Sequence, residues 1–486
     1  MPIMVEREKW ILYKHTSDYE LIKAVALDVK NSCAADISET ERYRMQERLA
    51  ALDKYKTRNP KSRPLDSINH RINTLEFYMF GYEDDSRRFI FSPLGNLFLS
   101  HIDEEEKLKK IFTAMLFGIQ FKHWANGTPD SFQLYPFRLL LKLMSDPRLN
   151  CRLYSTEYAY LVAFEKQMSP ANYESLVQRI LDFRKNDDET VARLLKEDEH
   201  TYVNCIYEWQ YYTQKLLSTV GTIRVHEGEK ICKLFHPPKS NSHSLPTGRW
   251  VKNGYAEIPD DMKSFIAKML KAYPFDAKPL RLDDDERMQM DVVKEIYSFY
   301  PTILLEEIGE NVDDIHVKLL ELPSLIEKYS NNPENDTAYL FEEVLAEGFN
   351  MFVNVEARKI GGAGHTDIEC LYITKRKKFA VEAKSTANKL IGINAGRLRE
   401  HRAEIGGEYT IVITPRYVPA AKRDIKHEPI VVILASTFSE YLYNHMYHDV
   451  REIDYRDFDD IIVDNLGTDV SKLISNMTMA KFASNA

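Results

Sequence analysis

Acidic and basic side chains converge in the last third of this 486-residue sequence. Two runs with strand-like alternation, TDIECLYIT (366–374) and KKFAVEAKS (377–385), are joined by a short basic turn, which predicts a hairpin. Asp367 and Glu382 would lie on its neighbouring strands, where facing side chains come within ~5 Å of each other. Lys384 follows Glu382 by two residues and therefore projects from the same face of its strand. The pattern predicts that two carboxylates and one ammonium group meet at one point.

These three groups match the needs of metal-assisted phosphodiester hydrolysis. That reaction uses hard oxygen ligands for Mg²⁺, a positioned water and compensation of the charge that develops on the phosphate. We expect Asp367 and Glu382 to hold Mg²⁺, for which Mn²⁺ would substitute, and Lys384 to lie near the attacking water. A Glu-x-Lys pair alone is weak support, because such pairs also lie on helix surfaces. The apolar strand context and the GGAGH turn before Asp367 strengthen it, and His365 in that turn is expected to hydrogen-bond locally.

The elements around the hairpin indicate an α/β domain with a mixed central sheet over residues 336–486. A helix-like run, DTAYLFEEVLAEGFNMF, precedes the hairpin and carries Glu342 beside its apolar stripe, where it could face the site. The runs RLREHRAE, YTIVITP, PIVVILA and STFSEYLYNHM then predict helix, strand, strand and helix. The polar tract SNNPEND before residue 336 indicates a boundary, and residues 283–335 are predicted to form a helical linker.

The sequence before residue 283 predicts a mainly helical region of two winged-helix-like subdomains, residues 1–130 and 131–282. In the first, a helix-like run (65–78) precedes a short polar hairpin (81–92) and a second helix that Ser92 can cap. In the second, a series of helices ends in a predicted hairpin, TIRVHEGEKICKLF, with its turn at residues 226–228. The stretch HPPKSNSHSLPTGRWVKNGY is rich in Pro, Ser, Asn and Gly and is predicted to be a loop. The overall fold class is therefore multidomain α+β.

Local basic clusters are the candidate contacts to DNA phosphates. The net charge of −9 argues against a protein that coats nucleic acid through its overall field. The stretch KYKTRNPKSRPLDSINHR nevertheless holds six Lys or Arg against one Asp. A solvated charged loop is the alternative interpretation of that stretch. The predicted DNA-binding residues are Lys54, Lys56, Arg58, Lys61, Arg63, Arg71, Arg249 and Lys252.

Composition excludes several classes of protein. Hydrophobic residues make up 44% of the chain and charged residues 29%, which is typical of packed globular domains rather than of a disordered chain. We expect a cytoplasmic, intracellular protein without a membrane partner, because the sequence has neither an apolar run of ~18 residues nor a signal peptide. The five scattered cysteines do not suggest a zinc site, and the motifs of nucleotide-binding loops, serine hydrolases and zinc proteases do not occur.

The segment GHTDIECLYITKRKKFAVEAKS resembles the metal-binding hairpin of the PD-(D/E)XK nuclease superfamily, with Thr366 in place of the usual Pro. FEEVLAEGFN and TFSEYLYNHM are similar to the cleavage domains of type IIS restriction endonucleases of the FokI and AlwI kind. SPLGNLFL, QLYPFRLLLKLM and ESLVQRILDFRKND are similar to the recognition region of related site-specific nicking enzymes. The resemblance implies that the N-terminal part reads an asymmetric double-stranded DNA site and that the C-terminal domain cuts a short distance away. It also implies that Glu342 is a helix-borne acidic residue that supports the metal site.

A single constellation would cut one strand. Cleavage of both strands then requires a transient homodimer or a small catalytic subunit, so a strand-specific nicking endonuclease or the large subunit of a heterodimeric restriction enzyme is the nearest alternative. A catalytically inert DNA-binding regulator is a further alternative. The intact Asp, Glu and Lys set argues against the regulator, since an inert fold has no physical reason to keep three converging charges.

Overall fold

The computed structural model describes residues 7–13, 15–32, 36–51, 65–83, 87–237, 245–282, 289–309, 314–332, 336–360, 362, 364–448, 450 and 452–483. The chain forms two compact units, residues 1–283 with 296–310 and residues 284–295 with 311–486. Among the described residues, no helix is long and apolar enough to cross a membrane.

The first unit is mainly helical. Side-chain caps fix the start of several of its helices: Asp18 accepts the amide hydrogen of Leu21, and Ser169 accepts that of Asn172. A π-helical segment, Trp209–Thr213, connects the helix that ends at Glu208 to the helix that begins at Gln214. The helices up to residue 272 are α1 (Tyr19–Asn31), α2 (Glu39–Ala51), α3 (Asp66–Phe77), α4 (Pro93–Ser100), α5 (Glu105–Gly118), α6 (Pro136–Leu143), α7 (Ser155–Tyr160), α8 (Pro170–Phe183), α9 (Asp188–Glu197), α10 (Glu199–Glu208), α11 (Gln214–Val220) and α12 (Asp260–Ala272).

Short antiparallel sheets accompany these helices. The strands are β1 (Gly81–Glu83), β2 (Phe89–Phe91), β3 (Leu153–Tyr154), β4 (Arg224–His226), β5 (Lys230–Phe235), β6 (Gly248–Lys252) and β7 (Tyr255–Glu257). β1 pairs with β2, β7 lies between β3 and β4, and β5 pairs with β6.

The helix, hairpin and helix predicted in the first subdomain are present as α3, β1–β2 and α4. Ser92 accepts the amide hydrogen of Gly95 at 2.9 Å, as its predicted capping role requires. Gly95 packs directly on the backbone of Phe80, where a Cβ atom would lie 2.0 Å from the Phe80 carbonyl oxygen. The helix is therefore held against the turn before β1 by a contact that only glycine allows.

Two predictions for the second subdomain are wrong. β4 and β5 do not form a hairpin with each other, because β4 pairs with β7 and β5 with β6. The stretch predicted as a loop, residues 236–255, contains β6 and the start of β7. With this pairing the turn after β4 and the turn after β6 cross closely, since a Cβ atom at Gly228 would lie 2.4 Å from the amide nitrogen of Gly254. Glycine at both positions allows this crossing, and each strand pairs with a partner that is distant in sequence.

The predicted linker region folds into α13 (Gln289–Tyr297), α14 (Thr302–Glu307) and α15 (Asp314–Asn331). Leu322 and Ile326 of α15 are buried in the core of the second unit. The last helix of this region is thus part of the second unit rather than a free connection.

The second unit has the predicted mixed sheet, with strands in the order β12-β11-β10-β9-β8. β8, β9 and β10 are antiparallel, whereas β10, β11 and β12 are parallel. Phe341, Phe379 and Phe438 belong to the main core on one side, and Leu398 and Val412 belong to a smaller core. The elements are α16 (Ala338–Asn350), β8 (Val355–Lys359), β9 (Ile368–Tyr372), β10 (Lys377–Ala383), α17 (Ala395–Ile405), β11 (Gly407–Thr414), α18 (Ala421–Asp424), β12 (Ile430–Leu434), α19 (Ala435–Tyr447), α20 (Arg456–Asp464) and α21 (Ser471–Ala483).

Candidate active site

The antiparallel pair β9–β10 brings Asp367 beside the end of β10. Val381 pairs with Ile368, so Asp367 precedes the last pair on one strand and Glu382 follows it on the other. The amide of Ala383 donates a hydrogen bond to Oδ2 of Asp367 at 2.8 Å. Register and hydrogen bond together fix the carboxylate of Asp367 next to the strand that carries Glu382.

Lys384 completes the predicted convergence of charges. Its Nζ lies 2.8 Å from Oε2 of Glu382 and 3.7 Å from Oδ2 of Asp367. The Glu382 side chain is 1% exposed, whereas that of Lys384 is 34% exposed. The backbone of Lys384 is held by the neighbouring parallel strand, because its amide donates to the carbonyl of Ile413 at 2.8 Å. The ammonium group therefore sits between the two carboxylates at the mouth of the site.

Burial makes the carboxylate of Asp367 costly to ionise. Desolvation, helped by the nearby charges of Glu382 and Glu342, raises the pKa of Asp367 to about 6 against the lowering effects of Lys384 and the Ala383 amide. Burial is the main cause of this shift, and the two carboxylates of Asp367 and Glu382 also outnumber the single ammonium group of Lys384 that faces them. A bound divalent cation would relieve that excess.

The structure adds a histidine that the sequence analysis missed. Nδ1 of His401, on α17, lies 2.8 Å from Oε1 of Glu382, and the histidine side chain is 3% exposed. One turn earlier on the same helix, Nε of Arg397 donates to Nε2 of His401 at 3.2 Å. In the structure Leu398, His401 and Arg402 are buried on one face of this helix, but the run RLREHRAE is so polar that its sequence gives little sign of that face.

Three further residues named from the sequence have defined partners. Glu342 on α16 forms an ion pair with Lys359 of β8, with Oε2 3.2 Å from Nζ. His365 lies 2.8 Å from Oε1 of Glu404 through its Nδ1. Thr366, at the position where the superfamily usually has Pro, is fully buried and donates from Oγ1 to the carbonyl of Val381 at 3.2 Å. The replacement of Pro by Thr therefore leaves the hairpin intact.

A family model described as the N-terminal domain of the type II restriction endonuclease HgaI matches residues 5–273. The type II restriction enzyme HgaI of Avibacterium volantium is 45% identical over 477 residues, which cover 97% of each chain. The chain belongs to the HgaI family of type II restriction enzymes. The expected kinship with type II restriction endonucleases and the assignment as a site-specific endonuclease are thereby confirmed.

Solved structures give a weaker likeness. The binding domain of the BpuJ1 endonuclease, in complex with pyrene- and phenanthrene-modified DNA, is 14% identical, covers 61% of this chain and 96% of its own, and has a TM-score of 0.37. The restriction endonuclease FokI is 10% identical, covers 95% of this chain and 100% of its own, and has a TM-score of 0.27. The family assignment therefore rests on the HgaI family model and the HgaI relative.

The donor set of this HgaI-family chain fits Mg²⁺. Within the described ranges, no three His, Cys, Asp or Glu side chains are already gathered as they would be around an ion. Mg²⁺ does not require such a cage, because it usually keeps several waters and binds through one or two carboxylates together with substrate phosphate. Asp367 and Glu382 supply two carboxylates of the required kind, with the ammonium of Lys384 between them.

Three of the predicted DNA-binding residues lie in the described part of the chain, and each has a partner within the protein. Arg71 donates from Nη1 to the carbonyl of His15 at 2.7 Å. The guanidinium of Arg249 lies 3.8 Å from the ring centre of Tyr207, and Lys252 pairs with Glu227. The other five, Lys54, Lys56, Arg58, Lys61 and Arg63, lie outside the described residues.

A basic and aromatic surface that the sequence analysis did not single out lies on the β5–β6 ribbon. Lys233 pairs in register with Trp250, whose side chain is 40% exposed. Nζ of Lys230 and Nζ of Lys233 lie 5.2 and 5.7 Å from the Trp250 ring centre, and both lysines are exposed. Alternation along β5 also places Phe235 on the face of Lys233.

Proposed function

We propose that this chain is a Mg²⁺-dependent type IIS restriction endonuclease that binds an asymmetric double-stranded DNA site and hydrolyses phosphodiester bonds a short distance away. The observation that carries the proposal is the meeting of Asp367, Glu382 and Lys384 at the end of the β9–β10 hairpin. Membership of the HgaI family supports the DNA substrate, and the two carboxylates support the metal.

Each residue of the site has a definite role in this proposal. Asp367 and Glu382 hold the cation, which when bound would polarise the phosphate and favour deprotonation of water. The ammonium of Lys384, at the mouth of the site, would orient the attacking water and offset the developing negative charge. Glu342, which pairs with Lys359, adds negative charge beside Asp367 and supports the metal site.

The recognition function is proposed for the first unit. The order α3, β1–β2, α4 supports a winged-helix-like first subdomain over residues 1–130, and residues 131–282 would form the second. The basic stretch from Lys54 to Arg71, with Arg249 and Lys252, is proposed to contact phosphates. The exposed Lys230 and Lys233 extend this set, because a two-stranded ribbon fits a groove of duplex DNA.

The test is cleavage of supercoiled plasmids of varied sequence by wild type and by Asp367→Asn, with and without Mg²⁺. We expect linear products with defined ends at a constant distance from one sequence, only with wild type and metal. Run-off sequencing of both strands would give the site and the offset. Unchanged plasmid with wild type, together with specific binding, would overturn the enzyme proposal in favour of a DNA-binding regulator.

The same gel decides how the second strand is cut. The hairpin carries one constellation, so two strand breaks require a transient homodimer or a small catalytic subunit. Linear product whose rate rises with the square of enzyme concentration would support the homodimer. Open circles cut on one strand would instead identify a nicking endonuclease or the large subunit of a heterodimeric enzyme.

A further inference from the structure

The carboxylate of Glu382 has a different partner on each oxygen. Oε1 lies 2.8 Å from Nδ1 of His401, and Oε2 lies 2.8 Å from Nζ of Lys384. The Lys384 ammonium also faces Asp367, so Oε2 is the oxygen on the side that the two carboxylates share. The terminal torsion of a glutamate is soft, and rotation about it would exchange the two oxygens. Something must hold the orientation if a metal is to meet the same oxygen each time.

The tautomer of His401 follows from its second contact. Nε of Arg397 has a hydrogen to donate and no lone pair to offer, so Nε2 of His401 must accept. The proton of the neutral imidazole is then on Nδ1, which donates to Oε1 of Glu382. The two hydrogen bonds therefore run in one direction, from Arg397 to His401 and from His401 to Oε1 of Glu382.

We propose that His401, held in this tautomer by Arg397, is a positioning residue. Its hydrogen bond to Oε1 of Glu382 fixes the carboxylate so that Oε2 faces the metal. The proposal rests on the proposed function, in which Glu382 is a metal ligand. A neutral donor suits this role because it orients the carboxylate without adding the full positive charge that would compete with the cation. Hydrogen bonds from such outer partners typically change metal affinity by ~10–100-fold.

Docking of α17 does not depend on this hydrogen bond. Leu398 packs in the smaller core with Val412, and Nη1 of Arg402 donates to Oγ1 of Thr410 at 3.3 Å. The helix therefore has apolar and polar anchors of its own on β11. Loss of the His401 donor should therefore change the orientation of the Glu382 carboxylate without releasing α17 from the sheet.

The experiment measures Mn²⁺ binding to the full chain by the loss of the free-ion electron paramagnetic resonance signal, together with the Mn²⁺ concentration that half-saturates cleavage. We expect His401→Ala to raise both values by ~10–100-fold. His401→Gln, whose amide can still donate, should recover most of the affinity. Arg397→Met should have a smaller effect in the same direction, because the tautomer is no longer fixed.

Arg399→Met is the matched control. Arg399 lies on the same helix as Arg397 but pairs with Glu428. Arg399→Met therefore removes the same charge as Arg397→Met and should bind Mn²⁺ as wild type does. Wild-type Mn²⁺ affinity in folded His401→Ala, or equal losses in the Gln and Ala variants, would overturn the positioning role and leave the proposed function standing. If His401→Ala does not fold, the Gln and Arg397 variants decide by the same comparison. Absence of both Mn²⁺ binding and cleavage in wild type would count against the proposed function itself.

Discussion

Replacement of Asp367 by Asn should stabilise the metal-free protein at neutral pH, although it removes a residue of the proposed active site. Burial, with the charges of Glu382 and Glu342, raises the pKa of Asp367 from 3.8 to about 6. The folded state therefore binds this proton more tightly than the unfolded state, and stability falls as pH rises between these two values. At pH 8 the full penalty is present, whereas below pH 4 the carboxyl is neutral in the folded protein and the penalty is absent.

The magnitude follows from the shift. A change of roughly 2 pKa units at ~1.4 kcal/mol per unit sets an upper limit of about 3 kcal/mol for the free energy that ionisation of Asp367 takes from the folded state. For a unit of this size, 1 kcal/mol changes the melting temperature by roughly 2–4 °C. We therefore expect Asp367→Asn to raise the melting temperature at pH 8 by several degrees and to have little effect at pH 4.

The assay is thermal denaturation of the full chain in excess EDTA, with wild type and variant compared from pH 4 to pH 8. Asp464→Asn, at an exposed position on α20, removes a carboxylate that water already solvates and is the control. A lower or equal melting temperature for Asp367→Asn at pH 8 would refute the reasoning. A gain of the same size at pH 4 would also refute it, because it would not come from ionisation. Added Mg²⁺ should stabilise wild type at pH 8 and leave Asp367→Asn nearly unchanged.

Three further perturbations test other parts of the proposal. Lys384→Met should lower the single-turnover cleavage rate by ~10²–10³-fold while specific DNA binding in Ca²⁺, measured by gel shift, stays as in wild type; equal losses of both would contradict its catalytic role. Glu342→Gln should raise the Mg²⁺ concentration needed for half-maximal cleavage, since negative charge beside Asp367 is lost; an unchanged requirement would remove it from the site. Lys230→Ala combined with Lys233→Ala should reduce the slope of log binding constant against log salt by about 2, measured by fluorescence anisotropy; an unchanged slope would exclude ribbon contacts with phosphate.

The hairpin was predictable from the sequence because its signals are local. Alternation with a period of two places Glu382 and Lys384 on one face, and a short turn leaves little freedom in how β9 meets β10. The order of the following helix and strands was also clear, since β11 and β12 are nearly continuous apolar runs buried on both faces.

The predictions that failed concern contacts between residues that are distant in sequence. The pairing of β4 with β7 and of β5 with β6 brings Gly228 close to Gly254, and alternation within β4 or β5 says nothing about that approach. His401 was missed for a similar reason. The run around His401 is strongly polar and does not predict its burial, and only the packing of α17 on the sheet shows its contact with Glu382.

The end of the antiparallel ladder explains why Asn, rather than Ala, is the informative substitution at position 367. Beyond the pair Val381–Ile368, the amide of Ala383 is bonded to the carboxylate of Asp367, which acts where a backbone acceptor would stand in a longer ladder. Ala at this position would remove the charge and also leave that amide without its acceptor, at a cost of ~1–3 kcal/mol. Asn keeps an acceptor oxygen and removes only the charge. Asp367→Asn therefore separates two effects, the hydrogen bond that orients the Asp367 side chain and the burial that opposes its ionisation. A bound cation would offset the free-energy cost of the second effect, the ionisation of a buried carboxyl.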